Sequence, residues 1–266
     1  MILAGFFSKA IAYLGSGFEE RQKNEEPENF SSLPLAYQIE EMDSDYSEDS
    51  DNLAELDNPP DFLENLNRGI RVCTACSLGM TRITAVPGEG SEVPLVMVVG
   101  DVPGADEDSS GRPFMGKAGQ LLDRMLASIG LSREKNCYIS YIIKCRLPNP
   151  LDPDNPIQNS LEKEMRICSS FLERQIRYLK PRLVLNVGGF GGFIYNDSRI
   201  PILTTYHPNA LLEDESLKRR AFEDMKSLMA ALAALDRSYA EEVKELIKKY
   251  AASDKDFANR VQGYTF

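Results

Sequence analysis

The sequence predicts a three-layer α/β/α domain around a central, mainly parallel four-stranded sheet. Short apolar runs that stop at a glycine or a polar residue are typical of buried parallel strands. They occur at 95–99, 138–143, 183–187 and 202–206. Segments with apolar residues at helical spacing separate or follow them, at 118–129, 160–179 and 215–235. Strands that alternate with helices favour a sheet covered on both faces.

Sheets of this class bind ligands beyond the carboxyl ends of their strands. We therefore expect the functional residues in the segments that follow the strands. These are residues 100–116, 144–150, 188–192 and 206–212.

Acidic residues are concentrated before the predicted domain. Residues 1–66 contain 16 acidic and three basic residues, a net charge of −13 in a chain whose total is −11. Residues 38–61 are acidic, rich in serine and poor in large apolar groups, which predicts a disordered linker. An acidic strip that mimics DNA is the alternative.

The first 15 residues place apolar side chains on one helical face, with Lys9 inside the apolar stretch. This favours a docking helix over a secretion signal. Residues 238–251 have the pattern of a further amphipathic helix. We expect three parts: a helix and acidic linker in 1–66, the domain in 67–236, and a helix and tail in 237–266.

The five cysteines point to a metal centre. Cys73 and Cys76 are separated by two residues, which lets both thiolates bind one centre. Cys145 just past a strand and Cys168 in the next helix could complete a set of four, and the spacing allows zinc or an iron–sulfur cluster. Cys137 begins a strand and should be core.

The cysteines and hydropathy also indicate where the protein works. An odd cysteine count without an export signal argues against a disulfide framework. No apolar run reaches the roughly 18 residues that span a bilayer. We expect a cytoplasmic monomer that does not enter a membrane.

Four blocks of sequence resemble, in the same order, those of family 4 uracil-DNA glycosylases. They are CTACSL from residue 73, GDVPGADEDSSGRPFMGKAGQLLDRML at 100–126, YISYIIKCRLP at 138–148 and TYHPNALL at 205–212. The resemblance covers about 170 residues. It implies a [4Fe–4S] cluster bound by Cys73, Cys76, Cys145 and Cys168, and an enzyme that flips uracil out of single- or double-stranded DNA, hydrolyses its glycosidic bond and leaves an abasic site.

The resemblance also implies a base pocket. Phe114 corresponds to the ring that stacks on the flipped base, and the turn from Gly100 to Gly104 brings backbone amides to it. Asp101 is a candidate catalytic carboxylate in place of the family's glutamate. Tyr141 stands where the family has an asparagine that reads the base edge with one donor and one acceptor.

The last block carries a candidate hydrogen-bond donor and a candidate DNA wedge. His207, the only histidine of the chain, would donate to the uracil oxygen as negative charge develops. Pro208, Leu211 and Leu212 would form the loop that wedges into the minor groove, with Leu211 or Leu212 filling the space left by the flipped nucleotide. Residues 213–215 are acidic where the family often has an arginine, which opposes contact with phosphates. The alternatives are an iron–sulfur protein that binds DNA without catalysis, or a glycosylase for another damaged base.

Overall fold

A computed structural model describes residues 61–148, 161–189 and 200–253. The expected N-terminal helix, almost all of the acidic linker and the C-terminal tail lie outside these ranges. Within the described residues, no helix is long and apolar enough to cross a bilayer.

The expected mainly parallel sheet is confirmed. The strands are β1 (Glu89–Gly90), β2 (Val96–Gly100), β3 (Cys137–Tyr141), β4 (Leu183–Asn186) and β5 (Ile202–Thr204). Their order in the sheet is β1-β3-β2-β4-β5. All pairs are parallel except β1 with β3. The two-residue β1 therefore adds an antiparallel edge to the four strands that the sequence predicted.

Eight helices surround this sheet in the described residues. They are α1 (Phe62–Arg71), α2 (Leu78–Thr81), α3 (Ala105–Ser110), α4 (Lys117–Ala127), α5 (Leu161–Leu179), α6 (Pro208–Glu213), α7 (Lys218–Leu235) and α8 (Arg237–Ser253). A 3₁₀ turn, Glu215–Leu217, precedes α7. The expected wedge loop is thus the short helix α6, which begins with a proline at a position where the missing N–H costs no hydrogen bond.

The two faces of the sheet bury separate cores, as the alternation of side chains along a strand requires. Val96 and Val98 of β2 face a core completed by α4, α7 and α8. Met97 and Val99 face the opposite core, completed by α1 and α5. This arrangement confirms the three layers.

Both expected domain boundaries fall within packed structure. Helix α1 crosses the boundary at 66/67, and its Leu63, Leu66 and Ile70 are buried. Helix α8, expected as the helix of the C-terminal part, buries Tyr239, whose hydroxyl donates to the Ile129 carbonyl at 2.7 Å. The folded unit therefore extends from about residue 62 into α8.

Candidate active site

One carboxylate joins the turn after β2 to the turn before α4. Glu107 Oε2 accepts from the Gly104 N–H at 2.9 Å, and Oε1 accepts from the Met115 N–H at 2.8 Å. Glu107 is only 8% exposed. The sequence alone did not point to this residue. A glutamate three residues after the helix N-cap is a capping-box pattern, and this signal could have found it.

Phe114 has a strained backbone that its neighbours hold in place. Its φ is 52°, in the left-handed region that costs a side-chain-bearing residue about 1–2 kcal/mol. The Arg133 guanidinium donates to the carbonyls of Pro113 at 2.5 Å and Phe114 at 2.9 Å. A Cβ at Gly119 would lie 1.7 Å from the Phe114 carbonyl oxygen, so α4 approaches this turn only because the position is glycine.

Tyr141, at the end of β3, lies against Phe114. The ring centroids are 5.0 Å apart with 19° between the planes, and the Phe114 N–H donates to Tyr141 Oη at 3.1 Å. A Cβ at Gly100 would lie 2.8 Å from the Tyr141 ring and 2.9 Å from Phe114 Cζ. Burial raises the pKa of Tyr141, which keeps the phenol neutral. Gly100, Phe114 and Tyr141, expected in one pocket, are thus brought together.

His207 lies beside the same aromatic pair. Its ring centroid is 5.7 Å from that of Phe114. It is the N-cap of α6, and its Nδ1 accepts from the Asn209 N–H at 3.1 Å. Burial lowers the His207 pKa, and the carboxylates of Asp101 and Glu107 oppose this effect. The neutral ring therefore carries its proton on Nε2. This N–H is the hydrogen-bond donor that the resemblance implies.

Asp101, directly after β2, binds the segment that follows β4. Its Oδ2 accepts from the Gly189 N–H at 2.8 Å. A Cβ at Gly188 would lie 2.1 Å from Oδ1, so this close approach requires glycine. The Asp101 carboxylate thus orders the edge of the site and acts on the charge state of His207.

The three expected wedge residues are not equally exposed. Pro208 and Leu211 are buried, and Leu211, at 2% exposure, belongs to the core. Leu212 is 44% exposed. The helical turn directs Pro208 and Leu211 into the protein, so of the two candidate leucines only Leu212 presents exposed side-chain surface. Leu212 has the exposed side chain that a wedge residue needs.

The four expected metal ligands lie together on the opposite side of the sheet from His207. Cys73 and Cys76 are half-buried between α1 and α2, whereas Cys145 after β3 and Cys168 in α5 are buried. Burial raises the pKa of Cys145, and that of Cys168 to about 11. Nearby thiolates add to both shifts: Cys73 and Cys76 act on Cys145, and Cys76 and Cys145 act on Cys168.

The charge and spacing around these thiols bear on what they can bind. Arg82 donates to Cys145 Sγ at 3.1 Å and to the Cys73 carbonyl at 2.7 Å, which places a cation among groups that become anions on metal binding. Among the described residues, no three His, Cys, Asp or Glu side chains are close enough to hold one metal ion. A [4Fe–4S] cluster would take one thiolate at each of its irons, so its ligands would stand farther apart than those of a single ion.

A family model described as the uracil DNA glycosylase superfamily matches residues 87–227, which contain all the residues described around His207. The chain belongs to the uracil DNA glycosylase superfamily. The matched residues run from the segment before β1 into α7. They include Cys145 and Cys168 but start after Cys73 and Cys76.

Curated relatives within the superfamily carry the name type-4 uracil-DNA glycosylase. The protein from Archaeoglobus fulgidus is 34% identical over 189 residues, which are 62% of this chain and 91% of the relative. That from Sulfurisphaera tokodaii is 34% identical over 63% of this chain and 84% of its own length. That from Thermotoga maritima is 31% identical over 62% and 92%. The resemblance to family 4 glycosylases is thereby confirmed.

Proposed function

We propose that this protein is a DNA repair enzyme that excises uracil from DNA, hydrolysing the N-glycosidic bond and leaving an abasic site. The observation that carries the proposal is the hydrogen bond from the Asn209 N–H to His207 Nδ1, which leaves Nε2–H as a donor beside Phe114. The names of the relatives support the same reaction.

The departing base needs a partner for its charge. As the glycosidic bond breaks, uracil leaves as an anion, and the His207 Nε2–H stabilises its oxygen next to that bond. One such donor typically contributes about 2.7–4 kcal/mol to lowering the barrier. A neutral imidazole suits this role because it keeps its N–H while Nδ1 stays bonded to the backbone.

The other residues position the reactants. The flipped base stacks on Phe114, while the turn from Gly100 to Gly104, held by Glu107, lines the pocket. The Asp101 carboxylate orients water toward the sugar and stabilises the positive charge that develops there. Leu212, the exposed wedge residue, fills the space that the base leaves in the duplex.

The four clustered cysteines support a [4Fe–4S] cluster as cofactor. All four are free thiols, and Cys73, Cys76, Cys145 and Cys168 would each provide one sulfur ligand to the cluster. The cluster would join α5 and the end of β3 to the segment before α2, and so serve as a structural crosslink. We further propose a monomer in the cytoplasm, where reducing conditions keep thiols available for metal.

The activity is tested with uracil-containing single- and double-stranded oligonucleotides, followed by alkali to cleave abasic sites. Cleavage by the native chain and a large loss in His207→Ala are expected. Strand cleavage that persists unchanged in His207→Ala would contradict the role of this residue.

A second function is favoured by one observation: Tyr141 covers the ring of Phe114. A non-catalytic iron–sulfur protein that binds DNA would not need that face open. DNA binding without cleavage of any uracil substrate by the native chain or by Tyr141 variants would establish this alternative.

A further inference from the structure

One face of the Phe114 ring is covered by the flat ring of Tyr141. Tyr141 lies over it at 5.0 Å between centroids and 19° between planes. Gly100 lies close to both rings, since a Cβ there would approach each of them within 2.9 Å. Tyr141 and Phe114 are 2% and 3% exposed, so no room remains for a second ring between them.

The phenol oxygen of Tyr141 is also the hydrogen-bond acceptor of a buried backbone N–H. The buried Phe114 N–H donates to Tyr141 Oη at 3.1 Å. A buried N–H needs an acceptor, and an unmet one is costly. The carbonyl of a pyrimidine base is an acceptor of the same kind, whereas an amino group is not. The tyrosine side chain thus combines a stacked six-membered ring with an oxygen at the place where uracil would supply both.

We propose that Tyr141 is an occluding residue of this pocket: its phenol occupies the base site of the DNA-free protein, and a base binds by displacing it and accepting the Phe114 N–H. The inference rests on the proposed function, which assigns His207 to the oxygen next to the glycosidic bond. In this proposal the Phe114 N–H lies at C4 of the base, where uracil carries a carbonyl and cytosine an amino group.

Displacement lowers the apparent affinity for the base. A base binds only the fraction of molecules in which Tyr141 has left the pocket, so the measured dissociation constant rises as that fraction falls. An aromatic stack and one hydrogen bond together correspond to about a tenfold to hundredfold effect. Selectivity follows, because cytosine displaces the same ring but leaves the Phe114 N–H without an acceptor.

Binding of free uracil and free cytosine to the full-length chain tests the inference directly. Native protein, Tyr141→Ala and Tyr141→Phe are compared by calorimetry or ligand-detected NMR. Tyr141→Ala should bind uracil and cytosine both about tenfold to a hundredfold more tightly than the native chain, with uracil still bound more tightly than cytosine. Tyr141→Phe keeps the stacked ring and should gain less. Equal uracil affinity in the native chain and a folded Tyr141→Ala would overturn the inference.

A measurement on the native chain does not depend on either variant folding. A structure with DNA that carries a non-hydrolysable deoxyuridine analogue should show the base on Phe114 and Tyr141 turned away. A base bound while Tyr141 still stacks on Phe114 would overturn the inference.

The failure of the proposed activity can be told apart from the failure of this inference. If no form cleaves uracil substrates but Tyr141→Ala binds free uracil more tightly than the native chain, the inference about Tyr141 is supported and the proposed uracil excision is wrong. If the native chain cleaves uracil efficiently and Tyr141→Ala gains no affinity for uracil, the proposed uracil excision is supported and the inference about Tyr141 is wrong.

Discussion

His207 Nδ1 accepts a 3.1 Å hydrogen bond from the Asn209 N–H, so one side chain both caps α6 and presents a donor at Nε2. The cap fixes the tautomer, and the tautomer supplies the hydrogen that a departing base needs. The two roles can be separated by substitution, because only one of them requires a ring that reaches the base.

We expect His207→Ala and His207→Asn to differ in stability but not in their loss of activity. Both should lower the rate of uracil excision about 10²–10³-fold, because neither places a donor at the position of Nε2. His207→Ala also loses the cap, which costs about 1 kcal/mol in the free energy of unfolding, whereas asparagine is a good N-cap. Single-turnover excision and urea unfolding measure the two effects. An asparagine variant with native activity would contradict the role of His207.

The lowered pKa of His207 predicts a dependence of stability on pH. Because burial holds the folded-state pKa below the value of about 6.5 found in unfolded chains, the unfolded state binds the proton more readily. The stabilisation from neutral His207 is present above the unfolded pKa and is lost as pH falls through the folded one. The free energy of unfolding of the native chain, relative to His207→Asn, should therefore decrease from pH 8 to pH 5. The comparison is clean because the chain has one histidine. A constant difference would contradict the prediction.

Glu107 should matter through the two turns that it joins. Glu107→Ala removes the acceptor of the Gly104 and Met115 N–H groups, which should lower the free energy of unfolding by about 2 kcal/mol and slow excision. Glu107→Gln keeps one carbonyl acceptor and should fall between the alanine variant and the native chain. Glu134→Ala, which removes an exposed carboxylate, is the control. If the Glu107 and Glu134 variants unfold alike, the joining of the turns contributes no stability.

The fold was predictable because its signals are local. Strands β2 and β4 are buried on both faces and so read as continuous apolar runs. Strand β1 was missed, because two residues with a glycine at φ 139° leave no apolar pattern. Helix α1 (Phe62–Arg71) spans the expected boundary at 66/67, because it follows the acidic segment directly and composition alone does not show where packing begins.

The motifs indicated several residues that the structure brings together, but neither Glu107 nor the contacts between them. The motifs placed Phe114 and His207 in one pocket, yet the stacking of Tyr141 on Phe114 depends on side-chain rotamers and joins residues 27 positions apart. Sequence also left Leu211 and Leu212 equivalent, whereas the helical turn of α6 buries one and exposes the other. Such choices depend on tertiary packing, which short-range patterns do not contain.

Replacing single cysteines tests the cofactor. Cys73→Ala or Cys168→Ala should lose iron and stability, because each removes one of four sulfur ligands. Cys137→Ala should keep the iron, since burial raises the pKa of this thiol to about 12 and it lies in the other core. Iron and zinc are measured on protein purified without oxygen. Stoichiometric zinc without iron in the native chain would contradict the cluster.

Two truncations, six residues apart, test where the folded unit begins. Removal of residues 1–60 should leave a stable domain, because α1 begins at Phe62. Removal of 1–66 should be strongly destabilising, because it deletes Leu63 and Leu66, which are 5% and 3% exposed, and each buried leucine contributes about 2 kcal/mol or more.

The shorter truncation also removes 14 acidic and three basic residues, so DNA affinity should rise or stay level. Thermal unfolding and DNA titration measure both effects. Equal stability of the two forms would show that α1 does not belong to the core, and a marked loss of affinity without residues 1–60 would place the acidic segment in the DNA-binding surface.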